Sequence, residues 1–512
     1  MFIKIAMLVV FFGIMVVVGI YCKKHTTDVN GFVLGGRAVG PWLSAFAYGT
    51  SYFSAVIFIG YAGQFGWKFG VASTWIGIGN ALIGSLLAWT ILGRRTRLMT
   101  HHLDSATMPE FFGKRYLSGK LKVSSSAIIF IFLIPYTASL FNGLSRLFGM
   151  AFNIDYTVCI IGMAVLTGIY VVVGGYMATA VNDFIQGCIM LVGIVLVILS
   201  ILNQNGGFLA SIHELSKVSD PLVSESPGIF ASFFGPDPVS LLAVLILTSL
   251  GTWGLPQMVQ KFYAIKNEAA IDKGTVISTV FALVVAGGCY FLGGFGRLFG
   301  HQINVAEVGY DAIIPKMLES LPEILIAVVV ILVLSASMST LSALVLASSS
   351  TLTLDFLKDN FIKNMTQKSQ VTTMRLLIVL FIAISSGIAI MQYKSSVVFI
   401  AQLMGISWGA LAGAFLAPFL YGLYWKGVTS IAVACNFVFG VGLMVLNLLF
   451  RSSFPLLLQS PINCGAFAMM AGLIIVPLVS VLTPKFSRDH TDKMFSCYEE
   501  HVVVSVKQAL GD

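Results

Sequence analysis

A chain of 512 residues that is 57% hydrophobic and only 10% charged, with a mean hydropathy of +0.92, has too little polar surface for a set of soluble domains and is an integral membrane protein. Its net charge of +8 and pI near 9.0 would suit a nucleic-acid binder, but the basic residues are spread as the positive-inside rule requires. With the N-terminus outside, roughly 22 of the 30 Lys and Arg fall on one side, among them Arg94, Arg95, Arg97, Lys114, Arg115, Lys120 and Lys122. The charge sets topology and points to no nucleic-acid partner and no obligate protein partner.

Only helices or closed barrels satisfy backbone groups in hydrocarbon, and the apolar runs show no alternation, so the chain is all-α. Apolar runs predict about thirteen spans, at 3–22, 41–63, 71–93, 124–151, 156–175, 180–202, 239–260, 274–299, 321–354, 373–392, 397–424, 428–449 and 462–483. In the first, Lys4 precedes an apolar core too long for a signal peptide, with no small-residue cleavage site after it. The second places Gly49, Thr50 and Ser51 among bulky residues at mid-depth, and the seventh carries Gly251, Gly254 and Pro256. Proline lacks an N–H and clashes with the preceding turn, so the seventh helix breaks there. The two interruptions lie five spans apart, as in two halves of opposite topology that each begin with a broken helix, and such helices mark a transporter's binding site.

An unwound segment near Thr50 to Phe53 leaves carbonyls without helical partners, and carbonyl oxygens suit a small hard cation such as Na⁺. The ninth span holds LSASMSTLSALVLASSS. Residues three and four apart share a helix face, so the Ala336 carbonyl and the Ser339 and Thr340 hydroxyls point to one spot, with Ser342 a turn beyond. The same hydroxyls also suit bonding back to their own helix or gluing helices together. Asp183 is the only formal charge between Asp155 and Glu214 and reads as either an ion-path acid or a helix-start charge. Seven scattered cysteines support neither a disulfide framework nor a zinc site, and no P-loop occurs, so uphill transport would draw on an ion gradient.

The motifs FVLGGRAVGPW, TMPEFFGKRY, GGYMATAVNDFIQG, GLPQMVQKFYAIK and VLSASMSTLSALVLASS resemble those of the sodium:solute symporter family, over about Phe32 to Trp425. The resemblance implies a LeuT-type inverted-repeat fold with alternating access: a core at 41–425 (repeats at about 41–202 and 239–425), flanked by an N-terminal segment at 1–40 and C-terminal helices and tail at 426–512. It implies a sodium site formed by Thr50, Phe53, Ala336, Ser339 and Thr340. A second ion in some members would fall on Asp183, Ser339 and Ser342, but Ala343 stands where those members have another hydroxyl, which favours one Na⁺ per cycle.

Tyr136 matches a family position near the solute, and Tyr52, Ser54, Thr252, Trp253 and Gln257 are placed to line the same cavity. Proline transporters of the family carry an acid where Tyr52 stands, and an aromatic pair where Thr248 and Thr252 stand, which weakens a plain proline assignment. No basic side chain is read mid-span near the breaks, so a zwitterionic amino acid or small carboxylate, held by helix N-termini, fits better than a sugar. The expectation is a plasma-membrane symporter with the C-terminus cytoplasmic, importing a small organic solute with Na⁺. The alternatives are a proton-coupled transporter of this fold, or a channel or sensor with a transporter-like body. No His or Asp/Glu constellation within the bilayer suggests an enzyme.

Overall fold

The computed structural model describes residues 2–22, 28–220, 223–224, 226–305, 309–395 and 400–499. α1 is Phe2–Cys22. A short helix, Val29–Leu34, capped by Asp28, leads to α2, Pro41–Tyr52, whose proline sits where a missing N–H costs nothing. α2 stops at Phe53, extended at φ −80° and ψ 123°, and the path resumes as a π-helix, Val56–Tyr61, and α3, Ala62–Phe69. The interruption therefore falls just beyond Gly49, Thr50 and Ser51, which are all helical. Gly49 serves close packing instead of unwinding, since a Cβ there would lie 2.4 Å from the Phe281 ring.

α4, Thr74–Gly79, continues through a π-helix, Asn80–Gly93, into α5, Arg94–His102. A helix at Met108–Arg115, capped by Thr107, precedes α6, Gly119–Phe152. α7, Tyr156–Gln204, is two helices joined at Gly175, whose φ of 57° and ψ of −162° only glycine adopts without strain. α8, Pro238–Ser249, gives way to a 3₁₀ turn at Leu250–Trp253. Leu255, at φ −84° and ψ 123°, then nearly repeats the Phe53 conformation before α9, Pro256–Tyr263. The remaining long helices are α10 (Glu268–Gly293), α11 (Glu323–Thr351), α12 (Gln367–Ser395), α13 (Ile400–Tyr424), α14 (Ser430–Leu449) and α15 (Pro461–Leu482).

Among the described residues eleven helices are long and apolar enough to cross a bilayer, against the thirteen expected. The difference has local causes. α2 has only 12 residues because the break ends it, and the first arm of α7 offers only the short apolar helix Tyr156–Ile169.

α11 and α13 are the inner rods, and every residue from Val329 to Thr351 is buried. The outer helices turn apolar side chains such as Leu376, Val438 and Ile474 toward lipid. Lipid is as apolar as leucine, so these helices gain little from burial and instead pack through small residues that let backbones approach. A Cβ added at Gly66 of α3 would lie 2.0 Å from the Gly293 carbonyl oxygen of α10, and one at Gly440 of α14 would lie 2.5 Å from Gly413 of α13. At one end of the bundle the two broken helices are tied together. Val39, before α2, donates to the Ala264 carbonyl (3.1 Å) and accepts from the Lys266 N–H (3.0 Å), while Arg97 donates to the carbonyls of Ile265 (2.9 Å) and Lys266 (2.7 Å).

Candidate functional site

The helical ladder of α2 ends when the Phe53 N–H donates to the Gly49 carbonyl, so carbonyls from Thr50 onward face outward without helical partners. α11 lies opposite them. Ser339 Oγ is 3.2 Å from the Thr50 carbonyl oxygen, 3.1 Å from that of Ala336 and 3.0 Å from that of Ser335. Thr340 Oγ1 is 3.1 Å from the Thr50 carbonyl, 3.2 Å from that of Phe53 and 3.0 Å from that of Ala336. Each hydroxyl has one proton. Of these six approaches at most two are full hydrogen bonds, and the rest set oxygen lone pairs against one another. A cation among them relieves that repulsion, and an all-oxygen cage suits a hard ion. Thr50, Phe53, Ala336, Ser339 and Thr340, the five residues implied as ion ligands, are thus brought together and fully buried.

Beside the cage, Trp408 of α13 stands between the two breaks. Its ring centroid is 5.9 Å from that of Tyr52 and 5.8 Å from that of Tyr136, and a Cβ at Gly251 would lie 3.2 Å from the indole. The hydroxyls of Tyr52, Tyr136 and Ser54, both amide atoms of Gln257 and the Trp408 Nε1 are buried, and among the described residues none has a hydrogen-bond partner. Each such atom costs on the order of 1–3 kcal/mol, so a cluster of them around two helix breaks marks a place for a polar ligand.

Thr252 and Trp253 face elsewhere. The Thr252 hydroxyl donates to the Ser249 carbonyl at 2.9 Å, with the Gly84 carbonyl 3.2 Å away, and Trp253 Nε1 donates to Ile83 at 3.0 Å. Tyr48 also donates to the Gly84 carbonyl at 2.7 Å, so the π-helix anchors both broken helices. Of the six residues expected around the solute, these two brace the wall. Trp408 is absent from that set because its helix has no break. Its signal in the sequence is a single large ring within the small-residue stretch GISWGALAGA.

Asp183, on the second arm of α7, is fully buried, with its Oδ2 3.6 Å from Lys261 Nζ of α9. Lys261 also lies 5.1 Å from the Tyr176 ring centroid. Ser342 donates to the Ser339 carbonyl at 2.8 Å. A basic side chain therefore does lie within the span that follows the second break, contrary to expectation. Lys261 escapes notice because it stands in QKFYAIK, at the flank of an apolar run, where a lysine reads as a solvated end.

Residues 32–435 match the family described as the sodium:solute symporter family. The osmoregulated proline transporter OpuE of Bacillus subtilis (strain 168) is 29% identical over 441 residues, which cover 85% of this chain and 87% of that protein. The sodium/proline symporter of Staphylococcus aureus (strain JH9) is 29% identical over 491 residues, 94% of this chain and 92% of the relative. Among solved structures, a Na⁺-coupled sialic acid symporter in a substrate-bound outward-open state superposes with a TM-score of 0.73 at 17% identity, covering 95% of this chain and 99% of that one. Mhp1, a nucleobase-cation-symport-1 family transporter in a closed conformation, gives 0.52 at 15% identity, covering 90% and 97%. These structural likenesses show the fold, the all-helical LeuT-type transporter architecture. With most of its length matched, this chain belongs to the sodium:solute symporter family and is a multi-pass membrane symporter that uses Na⁺ to move a small organic solute.

Proposed function

We propose that this chain imports proline or a closely related small zwitterionic amino acid, one Na⁺ per solute, with Na⁺ held by Thr50, Phe53, Ala336, Ser339 and Thr340. The observation that carries the ion site is the set of six oxygen approaches between 3.0 and 3.2 Å that share two protons. Both named relatives handle proline. Tyr52, Tyr136 and Trp408 would bracket the apolar body of such a solute. Its carboxylate would face the start of α9, the positive end of a helix, beside the unpartnered Gln257 amide.

The same few residues serve ion and solute: Thr50 and Phe53 give carbonyls to one, and Tyr52 and Ser54 face the other. A cation that fixes the end of α2 against α11 therefore also fixes the solute wall. Coupling follows if Na⁺ binds the arrangement in which that wall is formed more tightly than the one in which it is not. Asp183 is satisfied by Lys261, whose ammonium supplies the positive charge that a second Na⁺ would otherwise bring, which favours a single ion. The matched conformations of Phe53 and Leu255 support an inverted-repeat core at 41–425, with halves at 41–202 and 239–425, and flanks at 1–40 and 426–512. The Lys and Arg distribution supports a plasma-membrane protein with the N-terminus outside and the C-terminus cytoplasmic.

The test is uptake of radiolabelled amino acids and carboxylates into proteoliposomes with and without an inward Na⁺ gradient. Proline uptake that requires the gradient is the expected result. Gradient-driven uptake of a carboxylate, with every amino acid excluded, overturns the solute assignment. Trp408→Ala is expected to raise the solute concentration for half-maximal uptake at least about tenfold through loss of a buried aromatic wall. Its Na⁺ activation curve at saturating solute should stay close to wild type.

A further inference from the structure

A second polar cavity, of about 330 Å³, lies between the end of α6, the start of α7 and the short helices Tyr310–Ala312 and Ile313–Glu319. Five charged side chains line it, and most are already engaged. Lys316 and Glu319 pair with each other at 2.9 Å, and Asp155 caps α7 by accepting from the N–H groups of Thr157 and Val158. Arg146 and Asp311 are left. Asp311 is 3% exposed; its Oδ2 accepts the Ile400 N–H at 3.2 Å, and its buried Oδ1 has no partner among the described residues. Arg146 also buries an unpartnered Nε. The Arg146 charge is felt at Asp311, yet the two form no ion pair. Burial pushes the Asp311 carboxyl above its usual range, and Arg146 opposes that shift, as a cationic ligand group would.

We propose that this cavity is an outer docking site for the zwitterionic solute, with the solute carboxylate on Arg146 and its ammonium or iminium on Asp311. A guanidinium offers a fixed fork to a carboxylate, and a buried carboxylate with a free oxygen is completed by a charged N–H donor. A plain anion would meet Asp311 and Glu319 here, and a plain cation would meet Arg146 and Lys316, so opposite charges on one small molecule fit the lining best. The position suits a relay. Asp311 holds the first residue of α13, and Trp408 lies eight residues further along that helix, a rise of about 12 Å. A solute docked outside thus touches the same rod that walls the inner site. This inference rests on the reading of the solute as a small zwitterion.

The experiment is equilibrium dialysis of radiolabelled proline against the full chain in lipid nanodiscs at saturating Na⁺. Wild type is expected to bind two prolines per chain. Arg146→Gln and Asp311→Asn should each bind one, Trp408→Ala should keep only the outer one, and Arg146→Lys should regain the second site about tenfold weaker. Asp311→Asn keeps an oxygen for the Ile400 N–H, so its loss of a site would not trace to a lost helix cap. A wild type that binds one proline, unchanged in Arg146→Gln and Asp311→Asn, overturns the outer site and leaves the proposed function standing. If wild type binds no proline but takes up another amino acid with Na⁺, the proline assignment falls. The same dialysis with that amino acid then decides the outer site.

Discussion

Thr340→Val is expected to raise the Na⁺ concentration for half-maximal uptake by about ten- to a hundredfold, the loss of one charge-assisted oxygen contact of roughly 1.5–3 kcal/mol. Valine keeps the shape of the side chain and removes only the hydroxyl. That hydroxyl approaches three carbonyls at once, from Thr50, Phe53 and Ala336, so it closes the cage from the α11 side. Ser339→Ala removes the neighbouring oxygen and should act in the same direction. Na⁺ activation curves in proteoliposomes check both, with the amount of inserted protein measured alongside. Curves that overlay wild type would place the ion elsewhere.

Lys261→Met is expected to lower the stability of the purified protein by about 3–5 kcal/mol, because it leaves the fully buried Asp183 carboxylate without its counter-charge. Adding Asp183→Asn should recover most of that loss, since removing both charges of a buried pair is often neutral while removing one is not. Thermal unfolding in detergent reads the stability. Uptake then separates the two roles open to Asp183. If the acid only answers Lys261, the double variant transports with a near-normal Na⁺ requirement. If Asp183 and Ser342 hold a second ion, the double variant stays defective in Na⁺ activation even when its stability returns. A Lys261→Met protein as stable as wild type would show that the pair is not held as the structure places it.

The ion cage was legible because its parts follow from spacing. Ala336, Ser339 and Thr340 fall on one face by helical periodicity alone, and Pro256 breaks the second special helix through its covalent structure. The first break was located less well. Gly49 drew attention as a helix breaker, yet in a membrane bundle glycine as often marks a close approach, here to Phe281. The actual stop, Phe53, is a residue whose own propensity announces nothing, and tertiary packing decides it. Trp408 and Lys261 were missed for related reasons. Neither sits in an interrupted segment, and each gains its role from a partner more than 70 residues away in the chain. The Arg146 and Asp311 cavity likewise joins α6 to the loop before α11, a juxtaposition that only the fold creates.

Binding of radioactive Na⁺ to the purified protein, in the absence of solute, addresses the central claim most directly. Saturable binding by wild type that disappears when Ser339→Ala and Thr340→Val are combined is the predicted result. Undiminished binding by that well-folded double variant would contradict it.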